Sequence, residues 1–516
     1  MFVAFTTDSA PSEDALAHRL LGTEGQAPRT AGESEQQQQQ DDSTPTHTVV
    51  AGPPSTVVDV DSGQRDGGPS ESRLLSLPSE LIHQILSRLS ARDLACASAT
   101  CHTLLEHGRN DLLWADLVNS NLPFKIKDSG PFDSFRSLYI AHNPFWFLPR
   151  NKIWFSDTEH TGNLILTRYD NRRGVIEGYR VVAEKQSHQF QEWEWNPEVI
   201  IQTFNPQVRL WLDDPVILLK HSASAPPKRR QYLHGEIRMP MPLEMQHVYN
   251  SFSLCARKIP PDQEIPPDRQ WPPLTIPSTN RVYREVRIDP SEWHQPSRDL
   301  DQISESAFRV RRWARFRMGF PIYATGSTET MSTYATLDPT LYTPTKEKPY
   351  QGIWVGDYSD HGCEFLLFLQ RDKEVASGSN SSTSRPTTPP AINPASRSIE
   401  AEIATDSESR DDELIQQGSL EGIKLTGDPN VPRGEISFIA EDIGPAGLVR
   451  VANEKPFKGA RIVRSKGHVA ALGFRDDKFI PSQLILISRD CIAQYWEALD
   501  HISYFRRIDI DKLLQT

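Results

Sequence analysis

The apolar positions of this 516-residue chain change period along its length. From Leu74 to about Leu122 they recur at helical spacing, and from Asn151 to about Ile510 they fall into short strand-like runs separated by turns. In "LLSLPSELIHQILSRLS", Leu81, Ile82, Ile85, Leu86 and Leu89 make a broad apolar stripe, with Pro78 and Glu80 suited to a first helical turn. Ser90 with Asp93 forms a capping-box variant that starts a second helix through Leu94, Ala97, Cys101, Leu104 and Leu105 to about Gly108. Leu112, Leu113 and Trp114 open a third. Three short helices cannot bury so much apolar surface among themselves. The excess must pack on the β-rich region or on another protein.

Beyond Asn151 the chain alternates. "NLILTRYDNRRGVIEGYRVVAE" predicts a hairpin turning at Asp170–Gly174, and runs such as "VRLWL", "GIWVGDY", "FLLFLQ", "GEISFIA", "ARIVRS" and "LILIS" continue the series. About a dozen short strands predict a closed barrel, with a sandwich as the alternative. Helices are expected at "DLDQISESAFRVRRWARF" and after Asp490. The fold class is α+β: a short three-helix module followed by a large antiparallel β-domain. Residues 1–72 and the insertion 374–417 are rich in Ser, Thr, Pro, Gly and Gln and read as disordered. The expected organisation is tail 1–72, helical module 73–122, connector 123–150 and β-domain 151–516.

Composition narrows the function. Fifty-six basic residues against 68 acidic give a net charge of −12, which disfavours non-specific binding to nucleic acid or anionic lipid. Five scattered cysteines without a C-x-x-C fit a reducing compartment. The N-terminal residues lack a signal-peptide pattern, and apolar runs stop short of the roughly 20 residues of a membrane span. The expectation is a protein of the cytoplasm, the nucleus or both, with neither nucleic acid nor membrane as partner.

Candidate chemistry concentrates in "GIWVGDYSDHGCEFLLFLQ" (352–370), which holds Asp357, Asp360, His361, Cys363 and Glu364 within eight positions. Strand alternation puts Trp354, Gly356 and Tyr358 on one face and Ile353, Val355 and Asp357 on the other. Ser359–Gly362 forms the turn, and Cys363 and Glu364 point to opposite faces. A zinc site needs about three protein ligands, and no other cluster supplies the rest. The nucleophile-elbow, P-loop, zincin and dinucleotide motifs are absent. The stretch therefore reads as a structural hairpin bending at His361-Gly362, whose role, if it has one beyond the fold, is contact with a bound peptide, and the chain reads as a non-enzyme without a cofactor or metal.

The helical module resembles the F-box family. Leu77-Pro78, Glu80, the aliphatics to Leu89, Leu89-Ser90-x-x-Asp93-Leu94, Cys101 and Leu113-Trp114 follow that family's pattern, with Thr100 and Leu104 departing from it. The resemblance implies docking to the Skp adaptor, and through it to a cullin scaffold, by Leu77, Pro78, Leu81, Ile82, Ile85, Leu86, Leu89, Leu94, Leu113 and Trp114. Gly352–Leu369, Lys466–Phe474 and Leu484–Trp496 are similar to the substrate domain of F-box-only proteins whose β-barrel binds cyclin D and C-terminally amidated degrons. The implied function is the substrate-recognition subunit of an SCF ubiquitin ligase, its β-domain capturing a degron peptide. The alternative is a barrel holding a small ligand that gates degradation. Trp354, Tyr358, His361, Lys466 and His468 are the expected substrate contacts.

Overall fold

Every buried strand has two faces, and here both are apolar, so the β-region needs two layers of core. The computed structural model describes residues 72–187, 189–220, 236–240, 248–256, 266–284, 303–315, 327–372 and 416–515. Residues 1–71 and 373–415 lie outside these, and with them the tracts read as disordered, save for edge residues.

The module opens with α1 (Ser79–Leu86), α2 (Ala91–Ser98), α3 (His102–Gly108) and α4 (Asp111–Asn119). The expected second helix is thus two, broken at Cys101, whose extended backbone caps α3. Ser90 caps α2 as expected, its Oγ accepting from the Asp93 N–H at 3.2 Å. Ile82, Leu86, Leu94, Leu104, Leu113 and Trp114 form the module's core, and the Trp114 indole N–H donates to Gly108 O at 2.8 Å. In the connector, α5 (Phe135–His142) and α6 (Phe147–Asn151) follow. Phe135 and Tyr139 of α5 pack on the module's core, taking up part of its apolar surface. Asp111 holds α5 at its first turn, accepting from the N–H groups of Phe135 and Arg136 at 3.1 and 3.2 Å.

The first β-region comprises β1 (Ile153–Ser156), β2 (Leu164–Asp170), β3 (Val175–Lys185), β4 (Phe190–Glu192), β5 (Ile200–Gln202), β6 (Pro206–Leu210), β7 (Ile217–Lys220), β8 (Ile237–Met239), β9 (Val248–Ala256), β10 (Gln270–Trp271), β11 (Val282–Tyr283), β12 (Ile303–Arg315) and β13 (Ser327–Thr336). After the short α7 (Pro339–Tyr342) come β14 (Gly352–Asp357), β15 (Cys363–Arg371), β16 (Ser419–Lys424), β17 (Ile436–Ala440), β18 (Leu448–Val451), β19 (Arg461–Ala471), β20 (Arg475–Ser488), β21 (Cys491–Trp496) and β22 (His501–Arg507), and then α8 (Ile510–Gln515). Two helix expectations fail. β12 and β21 are strands where helices were expected, because Ala307, Phe308 and Val310, and Ile492 and Ala493, are claimed by sheet cores on both faces.

The β-domain holds a closed barrel and a second sheet. β14-β15-β16-β17-β19-β20-β21-β22 run antiparallel in that order, and β22 pairs back to β14, closing eight strands. The other sheet has the order β6-β3-β2-β1-β13-β12-β9-β8, with β7 also on β3. It curls until β7 meets β8, where the Leu218 N–H reaches Met239 Sδ at 3.3 Å. Phe252, Phe308, Trp154 and Ile165 fill its inside, plugged by Phe145, Phe147 and Leu148. The outer faces of barrel and sheet share a third core, in which Ile153, Phe155 and Leu164 meet Ile353, Val355, Leu367 and Ile423. Arg371 pairs with Ser419, so the chain leaves and re-enters the barrel at one point around the 374–417 insertion. A long insertion costs little there, because closure entropy grows only logarithmically with loop length.

Inside the barrel, Trp354 stacks on Phe368 at 4.6 Å, and Phe368, Phe438 and Phe505 complete an aromatic layer. Trp354→Ala should cost about 3–5 kcal/mol, read as a lower urea midpoint with an unchanged slope.

Candidate functional site

Because the barrel strands alternate in direction, one end collects residues from the end of β14 and the start of β15, the end of β16 and the start of β17, and so on round. Moving from the aromatic layer toward the β14–β15 turn, the inward residues become Tyr358, Glu364, Lys424, Ser437, Gly467, Ser482, Gln494 and Ser503. At the other end most are apolar, with Leu420, Ala440, Val463, Leu486 and Ile492, and Gln370 of β15 is a buried polar exception. The barrel therefore has one polar end and one apolar end.

The polar end is tightly bonded. Lys424 Nζ sits 2.7 Å from Glu364 Oε2 and 2.6 Å from Asp428 Oδ2, and 4.3 Å from the centre of the Tyr358 ring. Lys424 is only 1% exposed. A β-bulge opposite Gly422 and Ile423 frees Ser437 to meet the Tyr358 hydroxyl at 2.5 Å. Across the barrel, Ser465 and Ser482 hydroxyls lie 2.8 Å apart, Gln494 Nε2 donates to Ser482 Oγ at 3.1 Å, and Trp496 Nε1 donates to Ser503 Oγ at 3.2 Å. Position 467 must be glycine, since a Cβ there would come within 2.2 Å of the Trp496 ring and 2.6 Å of Gln494 Nε2. Gln494 is 0% exposed, and its Oε1 has no donor. A buried acceptor left without a donor costs roughly 1–3 kcal/mol. Like Glu364 Oε1, Gln494 Oε1 lacks a hydrogen-bond partner among the described residues.

Burial pushes Glu364 up to about 8, against the attraction of Lys424, and its hydrogen bond with Asp428 acts in the same direction as burial. Burial also works on Asp428, but Lys424 and hydrogen bonds from Glu364, Lys424 and the Val431 N–H outweigh it and hold it at about 2. Near neutral pH the trio thus carries one ammonium, one carboxylate and one carboxylic acid, with no net charge. Burial raises the Tyr358 phenol well above its usual range.

The rim is built from the β14–β15 turn, the 425–435 loop and the β19–β20 hairpin. The Gly473 N–H donates to Pro429 O at 2.8 Å, and Asn430 Nδ2 to Ala470 O at 2.9 Å, tying loop to hairpin. Leu472 and Phe479 are exposed on that hairpin. The β14–β15 turn is a 3-10 turn over Ser359–His361, with Gly362 at φ +85° as its glycine suggests.

The five expected substrate contacts do not converge. Tyr358 alone lines the polar end. Trp354 is 0% exposed and belongs to the aromatic core, so it cannot touch a substrate. His361 is exposed on the turn. Lys466 and His468 have the opposite parity to Ser465 and Gly467 and lie outside the barrel. There Lys466 pairs with Glu441 at 2.6 Å, and His468 with Asp477 at 3.1 Å and with Ile436 O at 2.8 Å. Within the 352–370 stretch, Asp357 and Cys363 face each other across the ladder, and Lys185 of β3 pairs with Asp357. Glu364 goes inside. Among the described residues, no group of three His, Cys, Asp or Glu side chains could hold a metal ion. Lys424, Asp428, Ser437, Ser482, Gln494 and Ser503 were missed. Their signal was a polar residue on an otherwise apolar strand face, as in Ile492-x-Gln494-x-Trp496.

The ten expected Skp contacts divide. Ile82, Leu86, Leu94, Leu113 and Trp114 are buried in the module's core, and Leu77 and Leu89 are half-buried beside it. These lie in or against the module's core and not on its outer stripe. Pro78, Leu81 and Ile85 are outward, the last two 44% and 43% exposed, beside the exposed Leu74, Leu75 and Leu112. α1 thus turns one stripe inward, Ile82 and Leu86, and another outward, Leu81 and Ile85, as the breadth of the apolar pattern requires.

Glu364 gives a pH signature. Its raised folded value means the native state holds a proton that the unfolded chain releases near pH 4.5, so its contribution is full below that pH and is lost as pH rises toward 8. Glu364→Gln should flatten this decline, by up to about 1.4 kcal/mol per pH unit, measured as the difference in chemical stability between the two proteins at pH 5, 6.5 and 8.

Residues 74–120 match the F-box-like family, and residues 334–512, which hold the whole closed barrel, match the family described as Cyclin D1 binding domain. No curated protein matches the chain. The chain thus joins an F-box-like domain to a Cyclin D1 binding domain, the make-up of an F-box protein.

Proposed function

We propose that this protein is the substrate-recognition subunit of an SCF-type ubiquitin ligase, without catalysis of its own. In this reading the exposed Leu74, Leu75, Pro78, Leu81, Ile85 and Leu112 dock the Skp adaptor, and a cullin scaffold follows through it. Each aliphatic side chain fully buried there contributes roughly 1.5–3 kcal/mol, enough for a few to decide the affinity. The polar end of the barrel captures a degron on a cyclin D-like protein or another substrate.

The observation that carries the degron chemistry is Gln494 Oε1, a buried acceptor awaiting a donor. The neighbouring Lys424–Glu364–Asp428 trio is charge-balanced within itself and offers no spare cation for a carboxylate. A neutral peptide group bearing N–H donors fits, and a C-terminal carboxamide is the smallest such group. The aromatic layer beneath fills the barrel, so the structure favours a peptide end entering a shallow polar mouth over a small ligand held in a deep dry cavity.

Leu81→Glu with Ile85→Glu should abolish co-purification with Skp while leaving the β-domain folded. Retention at wild-type levels would overturn the docking face. Gln494→Leu should weaken binding of a carboxamide-ended peptide by about tenfold or more in fluorescence anisotropy, and equal binding by both proteins would overturn the mouth assignment.

A further inference from the structure

Past the apolar end of the barrel, the inward face turns cationic. Arg461 pairs with Leu486 across the β19–β20 ladder, two residues beyond Val463, and so continues the barrel's inside face. Arg507 of β22 stands opposite Trp354 and lies over its ring at 5.3 Å. Its Nη1 donates to Gln351 O at 3.2 Å and its Nη2 to Arg489 O, which holds the β20–β21 turn beside it. Tyr350 is buried among these three arginines. Burial raises its phenol, and the charges of Arg461, Arg489 and Arg507 all pull the other way.

The acids of this end are engaged elsewhere. Asp490 pairs with Arg507 at 2.8 Å, Asp372 with Lys348 at 3.0 Å and Glu421 with Arg371 at 3.0 Å. Asp442 accepts from the Gly444 N–H at 2.6 Å, and Glu347 has Lys346 beside it. Arg461 and Arg489 have no carboxylate partner among the described residues. Arg489 is exposed. Arg461 Nη2 donates to Ile443 O at 3.3 Å, while its Nε is buried without a hydrogen-bond partner among the described residues. A buried, charged donor without an acceptor is costly, so this one favours an anion.

The insertion re-enters the barrel at this same end. Gln370 Nε2 donates to Gln417 O at 3.2 Å, and its Oε1 accepts from the Tyr350 N–H at 3.3 Å. The Ile443 N–H donates to Gly418 O at 2.9 Å, and the Ile443 carbonyl is the one that Arg461 holds. Gln417 is thus one side chain from Tyr350, and Gly418 two hydrogen bonds from the Arg461 guanidinium. Just before them, outside the described residues, positions 406–413 read "DSESRDDE", five acids against one arginine. Asp411, Asp412 and Glu413 precede Gln416 by three to five residues, about 10–17 Å of extended chain.

We propose that Arg461, Arg489 and Arg507 around Tyr350 form an anion-binding site whose ligand is the chain's own acidic stretch 406–413, held through its carboxylates. Guanidiniums present paired donors in the geometry that carboxylates accept. Charge complementarity and the short tether select this occupant over an acidic segment of another protein, because a segment so tethered is present at a local concentration of about millimolar. The site lies at the opposite end of the barrel from the polar mouth, and it stands whatever the mouth binds.

The test uses the full chain and a fluorescein-labelled peptide of residues 404–415, read by anisotropy. Asp406→Asn, Glu408→Gln, Asp411→Asn, Asp412→Asn and Glu413→Gln together give a neutralised chain whose own stretch no longer competes. At low salt the peptide should bind the neutralised chain about tenfold tighter than the native one, and the difference should shrink as salt rises. Adding Arg489→Glu or Arg461→Gln to the neutralised chain should remove the binding. An unchanged melting temperature reports that the fold is intact, and Arg489→Gln, which removes the charge without reversing it, replaces Arg489→Glu should that temperature fall. The proposal fails if the peptide binds neither chain, or if its binding survives the arginine variants. Equal binding to the native and neutralised chains would also overturn it, assigning the site to an acidic segment of a partner.

Discussion

Closure of the eight-stranded barrel by the pairing of β14 with β22 is the constraint from which the rest of the β-domain follows. An eight-stranded barrel is only wide enough for side chains to fill it. Each inward position must therefore be large and apolar, small, or polar with its partner supplied from across the barrel. Trp354, Phe368, Phe438 and Phe505 take the first option in the middle. Gly467 takes the second where Trp496 crosses. Lys424 with its two acids, and the serine–glutamine chain, take the third at one end. That division leaves a mouth whose internal bonds are nearly complete among the described residues, the Gln494 amide oxygen and Glu364 Oε1 being exceptions.

The same closure leaves the barrel's outside as apolar as its inside, and only another sheet can cover it. The curled sheet of β1–β3, β6–β9, β12 and β13 does so, and in doing so it sets the 157–163 turn against the 425–435 loop. Rim and neighbouring sheet are thereby held together. The helical module is joined on through α5, whose N-terminus is held by Asp111 and whose Phe135 and Tyr139 complete the module's core. The helical module presents an exposed aliphatic stripe and the barrel a polar end.

Buried charge at the mouth makes its chemistry sensitive to neighbours. Lys424, Glu364 and Asp428 are desolvated together, and removing Lys424 or Asp428 would leave an uncompensated charge in a low-dielectric site, whereas Glu364 holds its proton near neutral pH and its removal would not. The trio therefore favours one geometry of the Tyr358–Ser437 wall, and it excludes an additional carboxylate more by its own balance than by repulsion.

The sequence by itself determined the order of helical module and β-domain, the cap at Ser90, the Asp170–Gly174 and His361–Gly362 turns, and the parity that sends Cys363 and Glu364 to opposite sides. These follow from local periods and local backbone preference, which act over a few residues. What it could not decide was which strand face looks inward. Trp354 and Tyr358 share a face and looked equivalent, yet one sits in the aromatic layer and the other at the mouth, because that depends on distance along the barrel axis. Lys466 and His468 seemed to belong with them, until the register with β17 and β20 turned them outside. In α1, the periodicity marked Leu81, Ile82, Ile85 and Leu86 alike, and only packing against α3, α4 and α5 separated the buried stripe from the exposed one. "AFRVRRWA" and "CIAQYW" were read as helix and became strand, since a sheet with a core on each side overrides propensity. Gln494, Ser482 and Lys424 come from three different strands, and their convergence is set by long-range pairing that no local pattern encodes.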